Sequence, residues 1–335
     1  ALGVLLIIFG AIALIFALIL LNLKLTGMAL LILSPFILTT FLLHRFTKLR
    51  EPINYILKRT FLVLFNTSVY RRRFMWEQLY DVLCWLIPST EWKHMNWGYA
   101  ALNSNGVMIK NLLPEDENER FSIQLYHYMA TAMGTWNNLE GKTLVEVSSG
   151  RGGGLDYISR YLNPNKCIGV DLSTVQTEYC QKIYKDNKKP MFVIGESEKL
   201  SKVKELGTEG VDIVINVESG HCYANFKKFV EEVDRVLKPG GLFAYSDFRP
   251  THEWEETEKC LEVGSLKIVK KENISENVMK SLKLDEERKW GLIKSRLGPV
   301  LRFFFKQIGG VKGSHIFEGL SRGEMRSCAY VLKKC

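Results

Sequence analysis

LVEVSSGRGGG, residues 144–154, is the stretch whose reading decides the fold. It opens as a short apolar strand and runs into glycines at 150, 152, 153 and 154. From Leu155 onward the apolar residues recur at helical spacing. Strand, glycine loop and helix in that order mark a nucleotide site, because a backbone without Cβ atoms lets a ligand approach closely. A dinucleotide site begins the same way, so the flanking segments have to discriminate.

Working outward, apolar strand candidates alternate with helix-length segments, which is the pattern of a parallel sheet covered by helices. The strands are expected at Thr143–Val147, Cys167–Val170, Met191–Ile194, Val211–Asn216 and Leu242–Ser246. Two later alternating segments, near Leu266–Lys271 and Cys328–Lys333, are expected to close the sheet as an antiparallel pair. The expected class is thus α/β, a Rossmann-like sheet that is mostly parallel with an antiparallel last strand. Glu146 sits inside the first strand, where it is placed to organise the loop. Asp171 ends the second strand in CIGVDLS, 21 residues after Gly150, so its carboxylate is positioned to accept both hydroxyls of a ribose. After the third strand, GES (195–197) supplies Glu196 and Ser197 beside the expected place of a base.

The order of these motifs resembles the class I S-adenosylmethionine (SAM)-dependent methyltransferase fold. VEVSSGRGGGLDYISRYL, GVDLS, INVESGHCYANFKKFVEEVDRVLKPGG and YSDFR are similar to a narrower group, the phthiotriol/phenolphthiotriol dimycocerosate methyltransferases, which O-methylate hydroxyls on large lipids. NWGY (96–99) and GVKGSHIFEGLSRGEMRSCAYVLKK (310–334) extend the resemblance over residues 92–335. Ser148 departs from it, standing where most members have glycine. The resemblance implies S-adenosyl-L-methionine as cofactor, held by Glu146, Ser148, Gly150, Gly152, Asp171, Leu172, Gln176, Glu196, Ser197 and Asn216, with Tyr99 in a segment folding over it.

Methyl transfer from a sulfonium is an in-line displacement, so the protein must mainly hold donor and acceptor aligned. A neutral hydroxyl acceptor also benefits from a base near the end of the fourth strand. IVINVESGHCY (213–223) offers Glu218 and His221 there, with His221 preferred, and Asp247 in YSDFRP faces the same sheet edge. LGPVLRFFFKQIGG (297–310) is suited to line an apolar tunnel. No His, Cys and Asp cluster has metal-ligand spacing, so no metal is expected.

The remainder of the chain concerns its surroundings. Ala1 to Leu23 has no charged side chain and is long enough to cross a hydrocarbon core of ~30 Å. After Lys24 a second uncharged run ends at His44, so residues 1–44 are expected to form a transmembrane hairpin. Residues 45–96, rich in aromatic and basic side chains, are expected to be an amphipathic juxtamembrane linker, and 97–335 the catalytic domain with a helical insertion at about 275–325. The net charge of +9 collects where the apolar runs end, which favours anionic lipid, and no nucleic-acid motif accompanies it. The positive-inside rule puts the large C-terminal part in the cytosol, and the expected location is the endoplasmic reticulum or another internal membrane, although the sequence does not name the organelle. Seven cysteines without a CxxC pair agree with a reducing compartment. The sequence therefore predicts a membrane-anchored enzyme methylating a lipid or isoprenoid-like acceptor, most simply at a hydroxyl oxygen. The competing reading is a non-catalytic accessory subunit of a membrane protein complex, which loss of the loop glycines or of Asp171 would have favoured.

Overall fold

A computed structural model describes residues 80, 81, 84, 92–103, 109, 111–187, 190–207, 210–296, 302, 305, 306 and 309–335. The expected hairpin at 1–44 and nearly all of the linker lie outside the described residues. Among those described, no helix is long and apolar enough to cross a membrane.

The strand that opens the nucleotide-binding pattern is β1 (Thr143–Val147), an interior strand of the sheet. It pairs in parallel with β2 (Lys166–Asp171) on one side and with β4 (Val211–Val217) on the other. β3 (Pro190–Ile194) extends the first side and β5 (Leu237–Pro250) the second, both parallel. β7 (Met325–Lys334) then inserts antiparallel between β5 and β6 (Leu266–Asn273). Among the described residues the order is β3-β2-β1-β4-β5-β7-β6 in a sheet of seven strands, the mixed Rossmann-like arrangement expected. β5 is longer than Leu242–Ser246 because Leu237 already pairs with Val211, before a register shift that accommodates the Gly240-Gly241 bend.

The helices are α1 (Arg120–Ala130), α2 (Gly153–Tyr161), α3 (Thr174–Ile183), α4 (Phe226–Val236), α5 (Trp254–Leu261), α6 (Ser275–Leu284), α7 (Glu286–Arg296) and α8 (His315–Ser321). The last three lie in the stretch between β6 and β7. Strand alternation explains how both sheet faces are covered: Leu144 and Ile213 bury into one cluster with Leu155 and Ile158 of α2, and Val145 and Val214 into another with Phe229 and Val233 of α4. A strand buried on both faces reads as a continuous apolar run, and this is why the central strands were legible. Local chemistry starts the helices. Ser173 Oγ caps α3 by accepting from the Gln176 N–H at 3.0 Å, and Asn225 caps α4 by accepting from the Lys228 N–H at 3.0 Å.

Strand order reverses between β1 and β4, since the chain runs from β1 outward through β2 to β3 and then returns to the other side of β1. In such sheets a crevice opens beyond the carboxyl ends of the strands at the reversal, and ligands bind in it.

Candidate active site

The crevice is present at that point as a cleft enclosing about 1000 Å³ of empty space, part of it open to solvent. Its floor is the loop after β1, with Ser148, Ser149, Gly150 and Arg151. One flank comes from Asp171, Leu172, Ser173 and Gln176 after β2 and from Gly195 to Glu198 after β3. Val217, Glu218, Ser219, Cys222 and Tyr223 after β4 form the other flank. Tyr80, Lys93, Met95, Asn96 and Tyr126 close over it.

The loop conformation has identifiable causes. Gly150 has φ +52°, and a Cβ there would stand 2.6 Å from Met95 Cε. Ser148 has φ +59°, in the left-handed region that side chains rarely adopt. That backbone accounts for glycine being usual at the position, and here the Ser148 hydroxyl hydrogen-bonds the Tyr223 hydroxyl at 2.8 Å. Glu218 is the second strained residue on the cleft, at φ +51°. Residues held in such conformations cluster at functional sites, where the surrounding structure over-determines them.

Asp171 anchors the floor. Its Oδ2 accepts from the Gly150 N–H at 2.8 Å and its Oδ1 from the Ser173 N–H at 2.9 Å. Asp171 lines the cleft, and a carboxylate at the end of the second strand is placed to accept from a ribose diol there. Gln176 Oε1, buried and without a partner among the described residues, faces the same space. Gly195 is held by its N–H donating to the Asp171 carbonyl at 2.8 Å, which brings Glu196 and Ser197 to the rim, and Glu196 pairs with Lys199 at 2.7 Å.

Ser148, Gly150, Asp171, Leu172, Gln176, Glu196, Ser197 and Glu218 are therefore brought together on one cleft. Other residues from the sequence reading stand behind its walls. Glu146, 1% exposed, bonds the Tyr126 hydroxyl and the Leu155 N–H, and burial, opposed by Tyr126, pushes its pKa up to about 8. Gly152 caps α2 with φ +75° and packs on Phe192 and Tyr184. The Asn216 amide donates to the Val147 carbonyl at 3.1 Å and to the Ser219 hydroxyl at 2.8 Å, tying the β1 and β4 loops together. Tyr99 is buried against the Tyr128 ring, centroids 4.6 Å apart. These four shape the cleft without lining it.

His221 and Asp247 also lie behind the wall. His221 Nδ1 is 2.8 Å from Asp247 Oδ1, and Asp247 accepts from the Tyr245 hydroxyl at 2.8 Å. Burial disfavours charge on His221, but the Cys222 sulfur and the Asp247 carboxylate outweigh it and push the imidazole pKa up to about 10. Burial likewise opposes charge on Asp247, yet His221 and then Arg249 hold its carboxyl below the usual range. His221 Nδ1 is thus committed to Asp247, and neither residue lines the cleft. The His221 ring instead supports Phe248 at 4.3 Å, which stacks on Trp97 at 3.7 Å.

Glu218, the other candidate base of the sequence reading, lines the cleft. Its Oε2 accepts from the Trp97 N–H at 2.8 Å, while Oε1 is buried without a partner among the described residues. Burial, opposed by the Trp97 N–H, pushes its pKa up to about 7. A base poised there suits catalysis at neutral pH.

A family model described as a methyltransferase domain matches residues 145–245. The phthiotriol/phenolphthiotriol dimycocerosates methyltransferase of Mycobacterium leprae is 34% identical over 269 residues, covering 80% of this chain and 94% of that one. The chain belongs to that methyltransferase family. A fatty-acid O-methyltransferase of Mycolicibacterium smegmatis is also similar, 30% identical over 66% of this chain and 76% of its own length. Among solved structures, geranyl diphosphate C-methyltransferase from Streptomyces coelicolor with S-adenosyl-L-homocysteine has TM-score 0.52 and 13% identity over 74% of this chain and 93% of that one. That likeness supports the fold.

The protein is thus a SAM-dependent methyltransferase, and the accessory-subunit reading gives way. The cleft fits SAM on its own terms: a glycine floor that a Cβ would fill, a carboxylate on the wall where a ribose would lie, and the inward-facing Gln176 oxygen. When bound, the cofactor supplies an electrophilic methyl group on a sulfonium. Among the cleft residues that the sequence reading did not single out, Tyr80, Lys93, Met95 and Tyr126 come from segments ahead of β1. Lys93 and Met95 lie just ahead of NWGY, but Tyr80 and Tyr126 carry no local signal, because which residue of an N-terminal segment reaches a site depends on how the segment folds back.

Proposed function

We propose that this methyltransferase transfers the methyl group to an oxygen of a lipid-like acceptor drawn from a membrane to which residues 1–44 anchor it, with the catalytic domain on the cytosolic side. The observation that carries the reading is a second cleft of about 640 Å³, which shares Tyr80, Met95 and Asn96 with the cofactor cleft. Its other walls are mainly apolar: Trp92, Trp97, Leu292, Ile293 and Phe305. Such a lining removes water from a hydrocarbon chain, while Asn96, Arg288 and Lys289 supply the polar part of the cleft. Phe305, from the segment expected to line a tunnel, meets Trp92 edge to face at 6.4 Å. The names of two relatives, one for a phthiotriol and one for a fatty acid, support a lipid-like acceptor.

For a hydroxyl acceptor, the atom expected from the sequence, Glu218 takes the proton as the oxygen attacks. The His221–Asp247 pair holds the Phe248–Trp97 stack, and with it the Trp97 N–H on which Glu218 is oriented. Glu218 lines the cofactor cleft and is the catalytic residue in this proposal, whereas His221 and Asp247 line neither cleft and are positioning residues.

The test is incubation of membranes containing the full chain with methyl-labelled SAM, followed by mass spectrometry of the labelled lipid. Wild-type protein should label a lipid, and Glu218→Gln should lower the rate by about 10²-fold or more, the usual worth of a general base. His221→Ala should lower it less. Label found only on protein or water-soluble metabolites would refute the lipid acceptor, and wild-type rates with Glu218→Gln would remove the base.

A further inference from the structure

An in-line displacement puts the donor sulfur, the methyl carbon and the acceptor atom on one line, so the methyl has to cross where the cofactor cleft meets the acceptor cleft. Among the described residues, Tyr80, Met95 and Asn96 line both clefts. Asn96 brings to that junction a polar atom that nothing in the fold satisfies. The residue is 6% exposed, its amide nitrogen donates to the Ser122 carbonyl at 3.1 Å, and its Oδ1 is buried without a partner among the described residues. Only the nitrogen of an amide can donate to a carbonyl, so this bond fixes which end of the side chain is oxygen. A buried acceptor left unpaired costs stability, and a native structure that keeps one calls for a functional reason.

The neighbouring backbone holds the residue in place. Trp97 donates its N–H to Glu218 at 2.8 Å and accepts from the Ser281 hydroxyl at 2.9 Å. Gly98, at φ +85°, packs so closely that a Cβ there would stand 2.8 Å from the Phe121 carbonyl oxygen. The Asn96 dipole is therefore set before any ligand arrives, which is the condition for an electrostatic contact to cost no rearrangement.

We propose that the Asn96 carbonyl oxygen contacts the sulfonium methyl and makes the cleft select the charged methyl donor over its neutral product. The inference takes the second cleft to be the acceptor's, as proposed above. A positive sulfur polarises the C–H bonds of its methyl group, and a fixed carbonyl oxygen accepts weak C–H···O bonds from them. Once the methyl has left, the sulfur is a neutral thioether and that attraction is gone. The contact thus aims the donor and then favours release of the product.

The test reads binding, with the full chain in mild detergent. On binding to wild type, the methyl protons of isotope-labelled SAM should shift downfield in the NMR spectrum, as C–H···O contact requires. In Asn96→Leu that shift should vanish. Calorimetry should show SAM bound about 10-fold more weakly, the worth of two such contacts, with the affinity for S-adenosylhomocysteine changed by less than about twofold. A residue that merely props the wall would weaken both ligands alike and leave the shift, and that result overturns the inference. Should Asn96→Leu bind neither ligand, Asn96→Asp decides, because it keeps an oxygen and should keep the shift; loss of the shift there, or its absence in wild type, also overturns it. Leu292→Trp, which fills the acceptor cleft, should leave both affinities and the shift unchanged but stop lipid methylation. Methylation that survives Leu292→Trp would remove the acceptor cleft whatever Asn96 shows.

Discussion

Replacing Glu146 by Gln tests whether the acid inside β1 is held neutral by its surroundings. Glu146 is 1% exposed, one of its oxygens, Oε2, has no partner among the described residues, and Asp171 adds like charge. Its pKa, ordinarily 4.5, rises to about 8, chiefly through burial. The native state therefore binds a proton more tightly than the unfolded chain does. The stability this group contributes is fully present below about pH 4.5 and is lost as pH rises toward 8. Each pH unit in that window costs about 1.4 kcal/mol, so the interval from pH 5 to pH 8 costs about 4 kcal/mol. Glutamine keeps the shape and does not titrate. In urea unfolding of the full chain in mild detergent, followed by tryptophan fluorescence, the stability of Glu146→Gln minus that of wild type should rise by about 4 kcal/mol from pH 5 to pH 8. Other titrating groups cancel in the difference. A difference flat to within about 0.5 kcal/mol over that range would refute a neutral Glu146.

Asp171→Ala removes the acceptor expected to hold the ribose and also frees the Gly150 and Ser173 N–H groups. Calorimetry should show SAM binding weakened by about 1–3 kcal/mol, and unchanged affinity would move the ribose elsewhere in the cleft. With Glu218 pushed up to about 7 by burial, kcat/KM for a hydroxyl acceptor should rise as pH increases through neutrality and level off above it. Glu218→Gln should abolish that limb, whereas a profile that falls over the same range would contradict its role as base.

The Rossmann-like class and the cofactor loop were legible in the sequence for one reason. A central parallel strand buried on both faces needs a local apolar run, and a loop with φ near +52° at Gly150 needs a residue that tolerates it. Asp171, Glu196 and Ser197 were found the same way, because the ends of consecutive parallel strands converge on one edge and spacing along the chain then maps onto space. Ser148 and Glu218 show the limit. Their left-handed backbones are imposed by contacts from other strands, with the Glu218 N–H donating to the Ser246 carbonyl and both Ser148 and Ser149 donating to the Val170 carbonyl.

Sequence also determined that His221, Glu218 and Asp247 would gather near the ends of β4 and β5, yet it could not rank them. Only tertiary structure decided that Asp247 pairs with His221 away from the cleft lining, while Glu218 retains an open oxygen on the cleft. The acceptor cleft was still less visible. It joins Tyr80, Trp92 and Met95, far upstream, to Lys289, Ile293 and Phe305 near the other end of the chain. Spacing along a sequence reports proximity within one element or between adjacent strand ends. It does not report which distant helices pack over the same Trp97, and that packing is what builds the apolar wall.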